Sequence, residues 1–298
     1  MAKVLVICGA TASGKTALAV QCAKKLNTEI ISADSMLVYK GLNIGTAKPT
    51  KAEMDGVTHH LIDVLSPQSA FSVSDYEKTA LPILQRILSE GKTPVICGGT
   101  GFYINALLYK SGFGNAAADE RVRQYYENLC EEKGREYLHA LLREKDPESA
   151  EKLHFNDVKR VIRALEIYEV TGKKKSQQAD EKIPRYPFVA ASIQHSRESL
   201  YERIDLRVRK MFEDGLKEEV KTLLQNGVTP DCQCMQGIGY KEVAEGIIKG
   251  WTDEEIISLI QKNTRNYAKR QITFFKRMEN HVCLASGEAN ADAVLRLL

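Results

Sequence analysis

The 298-residue chain has no apolar run long enough to span a bilayer and no signal-type segment at its start. The expectation is a soluble, cytoplasmic, monomeric protein with no membrane partner. It has no internal repeat and no long low-complexity tract. It has little net charge: 42 basic against 39 acidic residues leave +3. That balance neither requires nor excludes a polyanionic partner, so the clustering of charge matters more than its sum. Cysteines number seven, none in a C-x-x-C pair; Cys232 and Cys234 stand one residue apart with no matching pair elsewhere. This argues against a disulfide framework and a structural zinc site, and fits a reducing compartment.

What is present is an alternation. Short apolar runs predict buried strands over 3–8, 29–33, 93–97 and 189–193, with weaker ones over 61–64 and 281–285. Helical patterns lie between them; Leu18, Cys22 and Leu26 recur on one helix face. Strands alternating with helices imply a parallel sheet covered on both sides. The character changes near Ser111, where "SGFGNAAADE" reads as a linker, and the pattern is then helical and charged to about Gly172. "TGKKKSQQADEKIPRYP" reads as an exposed polar loop, and "FVAASIQ" restores strand character. The expected fold is α/β, a P-loop-type parallel sheet flanked by helices. Its expected parts are a first part of the core (1–112), a helical insertion (113–187), and a return to the core with a helical C-terminal region (188–298).

The sharpest motif is Gly9-Ala10-Thr11-Ala12-Ser13-Gly14-Lys15-Thr16, which fits the phosphate-loop pattern G-x-x-x-x-G-K-S/T between a strand and a helix. Its glycines let backbone N–H groups converge on anionic oxygens, and the helix N-terminus adds partial positive charge. Lys15 adds a full charge, and the Thr16 hydroxyl is the expected ligand of Mg2+. Nucleoside triphosphatases with this loop also need an acid at the end of another strand. Here the strand "TPVICGGTG" ends without one, and the strongest carboxylate is Asp34, after "EIISA". A transferase with a phosphate-bearing donor fits better than a hydrolytic motor; a small-molecule kinase also fits.

The chain resembles the tRNA dimethylallyltransferases, also called tRNA isopentenyltransferases, in their bacterial form. The resemblance is carried by "GATASGKT", "ISADSMLVYKGLNIGTAKP", "HHLIDVLSP", "FSVSDY", "GGTGFYINALL", "NDVKRVIRALEIYEVTG", "QGIGYKE" and "AKRQITFFKR", in this order from Gly9 to Arg277. It implies transfer of a dimethylallyl group from dimethylallyl diphosphate to the exocyclic amine of the adenosine just after the anticodon, with Mg2+ assisting and diphosphate leaving. The phosphate loop then holds a leaving group. The adenine amine is a poor nucleophile, and a base must take its proton as the C–N bond forms. Asp34 matches the family's proposed base, Thr100 the threonine near the reacting adenosine, and Arg207 an arginine associated with diphosphate. The plainer alternatives are a helix cap or a residue in the metal's outer shell for Asp34, a turn hydroxyl for Thr100, and a solvated side chain for Arg207, whose neighbours include Arg203 and Arg209. The family usually has glutamine where this chain has Leu37 in Ser35-Met36-Leu37, which removes the hydrogen bonds of an amide.

A base in an anticodon stem-loop must be swung out to react, and its recognition rests on stacking and phosphate contacts. Expected RNA contacts are Asp34, Ser35, Met36, Leu37, Arg123, Lys159, Arg160, Arg163, Gln236, Gly237, Gly239, Lys241, Arg265, Lys269, Arg270 and Lys276. Lys262, Arg265, Lys269 and Lys276 are spaced to form one basic helical stripe. Tyr267, Phe274 and Phe275, interleaved with it, read as core packing. His59 and His60, adjacent on a strand, point to opposite faces and read as packing or hydrogen-bonding groups. Cys8 and Cys97 read as small buried side chains. The competing functions are a small-molecule kinase, a prenyltransferase of free adenine nucleotides, and a nucleotide-gated RNA-binding module without catalysis.

Overall fold

The computed structural model describes residues 3–110, 119–177 and 183–298. The chain divides into two compact units: Met1–Tyr109 with Pro184–Leu298, and Lys110–Ile183. The glycine- and alanine-rich stretch over 111–118 and the middle of the polar loop, 178–182, lie outside the described residues.

The first unit begins β1 (Val4–Cys8), α1 (Lys15–Lys25), β2 (Ile30–Ser32), α2 (Lys51–Met54), β3 (His59–His60), α3 (Val73–Ser89), β4 (Val95–Gly98) and α4 (Gly101–Leu108). The second unit holds α5 (Glu120–Lys133), α6 (Arg135–Lys145), α7 (Pro147–Lys152) and α8 (Val158–Thr171). The first then resumes with β5 (Phe188–Gln194), α9 (Arg197–Glu213), α10 (Leu216–Gln225), α11 (Tyr240–Lys249), α12 (Asp253–Phe275), β6 (His281–Ala285) and α13 (Ala291–Leu295).

The strands form one sheet in the order β3-β2-β4-β1-β5-β6, with every pairing parallel. The central strands read as unbroken apolar runs because helices cover both faces. In β1, Val4, Val6 and Cys8 enter one core cluster and Leu5 and Ile7 the other. This is the period-two alternation of a strand between two layers. Cys8 and Cys97 are buried, and all seven cysteines are free thiols. The helices are locally specified as well. Ser72 and Asp75 cap α3 reciprocally, and Thr252 and Glu255 do so for α12, each satisfying amides that the first turn leaves unpaired.

One strand differs from its expected position. The run 61–64 is not extended; β3 is His59–His60, just before it. Leu61 and Asp63 have φ of 63° and 55°, left-handed values that break a strand. Apolar composition marked the neighbourhood, but the backbone turns there.

The second unit has its own core, including Tyr126, Leu138, Leu142, Val161, Ile162 and Leu165. It begins at Lys110 and ends at Ile183, against the 113–187 read from composition. Among the described residues no helix is long and apolar enough to cross a membrane.

Candidate active site

In an open parallel sheet, ligands bind beyond the carboxyl ends of the strands. Here those ends deliver three segments together. β1 runs into the phosphate loop, β2 into Asp34, and β4 into Gly98-Gly99-Thr100. The loop turns into α1 at Gly14, whose φ of 91° is left-handed. Three side chains grip the loop from outside. Arg203 Nε donates to Ala12 O at 2.8 Å, His195 Nε2 lies 2.9 Å from Ser13 O, and Thr11 N donates to Gln271 Oε1 at 2.9 Å. Lys15 Nζ donates to Ala10 O at 3.2 Å, and burial pulls its ammonium below the usual lysine range, against the raising influence of Asp34.

Asp34 and Thr100 are joined through the segment between them. Ala33 N donates to Cys97 O at 2.7 Å and Thr100 N to Ala33 O at 3.0 Å. A Cβ on Gly98 would lie 2.1 Å from Ala33 O, so only glycine permits this approach. Thr100 Oγ1 accepts from Ser35 N at 3.1 Å, and Asp34 Oδ1 accepts from Met36 N at 2.9 Å. Asp34 thus makes a local turn bond, and no basic side chain forms a salt bridge with it among the described residues. Thr100 therefore bonds the turn that carries Asp34, as a turn-stabilising hydroxyl would.

Three hollows that share lining residues surround this group. One of about 300 Å³ is lined by Asp34, Ser35, Met36, Gln236, Tyr267 and Arg270 among others. One of about 870 Å³ is lined by Lys15, Thr16, Lys48, Arg203 and Lys210 among others. A small one of about 100 Å³ includes Lys15, Thr16, Asp34 and Leu37. Arg207 lines all three. It is recessed, with Nη2 donating to Thr46 O at 3.4 Å, so it is not the solvated arginine of an exposed helix face. Burial lowers its pKa, opposed by the charge of Asp34; a guanidinium stays charged regardless. Arg209 points elsewhere and pairs with Glu254 at 3.0 Å.

The residues fit Mg2+. Thr16 lines two of the hollows, and its hydroxyl has no hydrogen-bond partner among the described residues. No group of three His, Cys, Asp or Glu able to hold a metal exists among them. A cation that keeps several waters takes only one or two protein oxygens beside its phosphates, a place that a single threonine hydroxyl can fill.

The expected RNA contacts separate into different environments. Ser35, Met36, Gln236, Gly237 and Arg270 line the 300 Å³ hollow, whereas Leu37 lines the small one. Gly239 N caps α11 by donating to Glu242 at 2.7 Å, and Lys241 is exposed on that helix. Of the basic positions spaced along α12, Lys262, Lys269 and Lys276 are exposed, whereas Arg265 has a partner. Arg265 is drawn to Asp205 on α9 at 2.5 Å and lies over the Tyr201 ring. Lys269 and Lys276 line a separate hollow of about 520 Å³ behind the loop. Arg265 lies where α12 packs against α9. In the second unit, Lys159 and Arg160 are exposed, Arg160 pairing with Asp157 at 3.1 Å. Arg123 and Arg163 instead clamp the buried Glu166, at 2.9 and 2.6 Å.

Two residues of the site escaped sequence reasoning. Gln271 is 5% exposed and bonds both Thr11 N and Gly99 O. Tyr267, one turn earlier on α12, lines two hollows, and burial, then the charge of Asp34, pushes its phenol up to about 12. Phe275 is core and Phe274 packs against it; Tyr267 is the exception among the three aromatics. The available signal was the polar Gln271 on the same face as apolar neighbours, which marks an inward polar group without naming its partner.

Comparison with known proteins gives a consistent result. A family model described as IPP transferase matches residues 37–278. A tRNA dimethylallyltransferase of Acetivibrio thermocellus is 45% identical over 295 residues, 98% of this chain and 94% of the relative. One of Bacillus cytotoxicus is 47% identical over 276 residues, 92% and 87% of the two chains. The crystal structure of the full-length tRNA isopentenylpyrophosphate transferase of Bacillus halodurans superposes with a TM-score of 0.73 at 40% identity, covering 100% of this chain and 94% of that one. A eukaryotic dimethylallyltransferase acting on tRNA gives 0.82 at 31%, covering 96% and 74%. With the phosphate loop, Asp34 and Thr100 assembled at the strand ends, the chain belongs to the IPP transferase family, that of the tRNA dimethylallyltransferases.

Proposed function

We propose that the chain transfers a dimethylallyl group from dimethylallyl diphosphate to the exocyclic amine of the adenosine 3′-adjacent to the anticodon in tRNA, releasing diphosphate. The observation that carries this reading is the junction at Arg207, where a hollow beside the phosphate loop and one beside Asp34 and Tyr267 share a wall. A donor diphosphate entering on the loop side and a base entering on the other would meet there.

The diphosphate is held by the loop amides of Gly9 to Thr16, by Lys15 and by Arg207. The adenine enters beside Tyr267, Met36 and Arg270. As the amine nitrogen bonds to the first carbon of the dimethylallyl group, the C–O bond to diphosphate breaks and its electron pair leaves with the diphosphate. The amine proton passes to the Asp34 carboxylate. Thr100 holds the Asp34–Ser35 turn in register through Ser35 N. Lys15 and Arg207 stabilise the charge that grows on the leaving group. Thr16 would hold Mg2+, which would supply further charge neutralisation to the diphosphate.

The RNA would be held partly by cations outside the site. Lys159 and Arg160 on the helical insertion, and Lys241 and Lys276 on the core unit, are exposed. A kinase or a prenyltransferase of free adenine nucleotides would need neither the second unit nor these cations. A non-catalytic RNA-binding module would not need the Asp34 junction.

Asp34→Asn tests the reading, because an asparagine can keep the turn bond to Met36 N while losing basicity. Turnover should fall by about 10²–10⁴ with RNA and donor affinities unchanged. Near-normal turnover would remove Asp34 as the base.

A further inference from the structure

Among the buried polar atoms with no hydrogen-bond partner among the described residues are Ser32 Oγ and His59 Nε2. Both side chains line the 100 Å³ hollow that also touches Lys15, Thr16 and Asp34. Ser32 is 3% exposed. The strand register pairs Ile30 with His59, and Ile30 and Ser32 are two residues apart on β2, so all three share one face of the sheet.

The chemistry of the pair is defined by its neighbours. His59 Nδ1 lies 2.9 Å from Val57 O. A carbonyl only accepts, so Nδ1 carries the hydrogen and Nε2 presents a lone pair. Burial lowers the pKa of this imidazole, which favours the neutral form. Nε2 therefore needs a donor, whereas the Ser32 hydroxyl takes a donor or an acceptor. A dimethylallyl chain offers neither. Diphosphate oxygens are acceptors and would oppose the Nε2 lone pair. Water answers both needs, and the hollow has room for more than one.

A water bound to a divalent cation is a stronger donor than a bulk water. The same hollow contains Thr16, and Mg2+ retains waters when few protein groups ligate it. The turn after β4, Gly98-Gly99-Thr100-Gly101, brings no acid to the cation. We propose that Ser32 Oγ and His59 Nε2 bind water molecules in the hydration shell of the Mg2+ held at Thr16. They would be positioning residues that act on the cation through water. This rests on reading Thr16 as the cation ligand.

The test uses Mg2+ and inorganic diphosphate as probes with the full chain. Calorimetry should give a Mg2+ Kd, in the presence of diphosphate, raised about fivefold in Ser32→Ala and in His59→Phe, the loss of about one hydrogen bond. Diphosphate affinity without Mg2+ should not change. In the unaltered protein, the His59 Nε2 nitrogen resonance should move when Mg2+ is added with diphosphate, a readout independent of whether either variant repacks. An unchanged Kd in both variants with a stationary resonance overturns the proposal, and the loop reading survives if Thr16→Val still abolishes Mg2+ binding. No Mg2+ binding in the unaltered protein overturns both.

Discussion

Gln271 and Thr11 stand 260 residues apart in the chain and meet through a 2.9 Å hydrogen bond. The same amide donates from Nε2 to Gly99 O at 3.0 Å, so one side chain of α12 ties the phosphate loop to the turn that carries Thr100. Gln271→Leu should remove both bonds and loosen the spacing between the two halves of the site. The expected result is a kcat lowered by about 10²-fold, the scale of a 1 Å misplacement. Destabilisation should be about 1–3 kcal/mol from the unpaired backbone groups. Steady-state kinetics and denaturant unfolding measure the two, and a variant with unaltered kcat would show that the clamp does not position the reaction.

Arg207 and Arg209 lie two residues apart on α9 in opposite circumstances. Arg207→Ala should lower kcat by about 10²-fold, as for loss of one group that stabilises developing charge, and weaken diphosphate binding. Arg209→Ala should change neither by more than about threefold, because it breaks only an exposed pair with Glu254. Equal effects in the two variants would place the diphosphate elsewhere.

The strands could be read in advance because burial on both faces requires continuous apolar runs. The phosphate loop could be read because its backbone geometry demands glycines at fixed spacing. Asp34 and Thr100 stood out as polar residues directly after such runs. A helix pattern gives the direction of a side chain and not what stands opposite. Arg265 lies on a face whose spacing suits RNA, but α9 brings Asp205 to it. Arg123 and Arg163 look like free cations until α5 and α8 bring them together on Glu166. Gln271 could not be found because both of its partners are backbone atoms far away in sequence.

Cations with no ion pair among the described residues should carry the electrostatic part of RNA binding. Lys159→Ala and Lys276→Ala should each weaken binding of an anticodon stem-loop. Each should flatten the log Kd against log salt slope by about 0.7, as for one phosphate contact to a single strand. Arg163→Ala, whose side chain is held by Glu166, should lower stability with less change in that slope. Fluorescence anisotropy across salt concentrations measures this, and unchanged slopes for both lysines would move the RNA to another surface.

Glu166 is fully buried in the second unit and accepts from Asp119 N, Arg123 and Arg163. Burial alone would raise its pKa, but these bonds, that of Arg163 first among them, hold it below its ordinary 4.5. A depressed carboxylate contributes stability that is complete above its unfolded pKa and is lost as pH falls through the folded one. Glu166→Gln should cost about 2 kcal/mol at pH 7, less than for a fully buried pair because both arginines are about one-third exposed. The difference from the unaltered protein should narrow below about pH 4.5. Urea unfolding at pH 7 and pH 4 measures it; a difference independent of pH would mean that the charge of Glu166 contributes nothing.

The most direct measurement is mass spectrometry of an anticodon stem-loop RNA, with adenosine after the anticodon, incubated with the protein, Mg2+ and dimethylallyl diphosphate. Parallel reactions would replace the RNA with AMP and the donor with ATP. The predicted result is one five-carbon prenyl unit on that adenosine and none on AMP. An unmodified RNA, with prenylated AMP or phosphate transfer from ATP instead, would contradict the account.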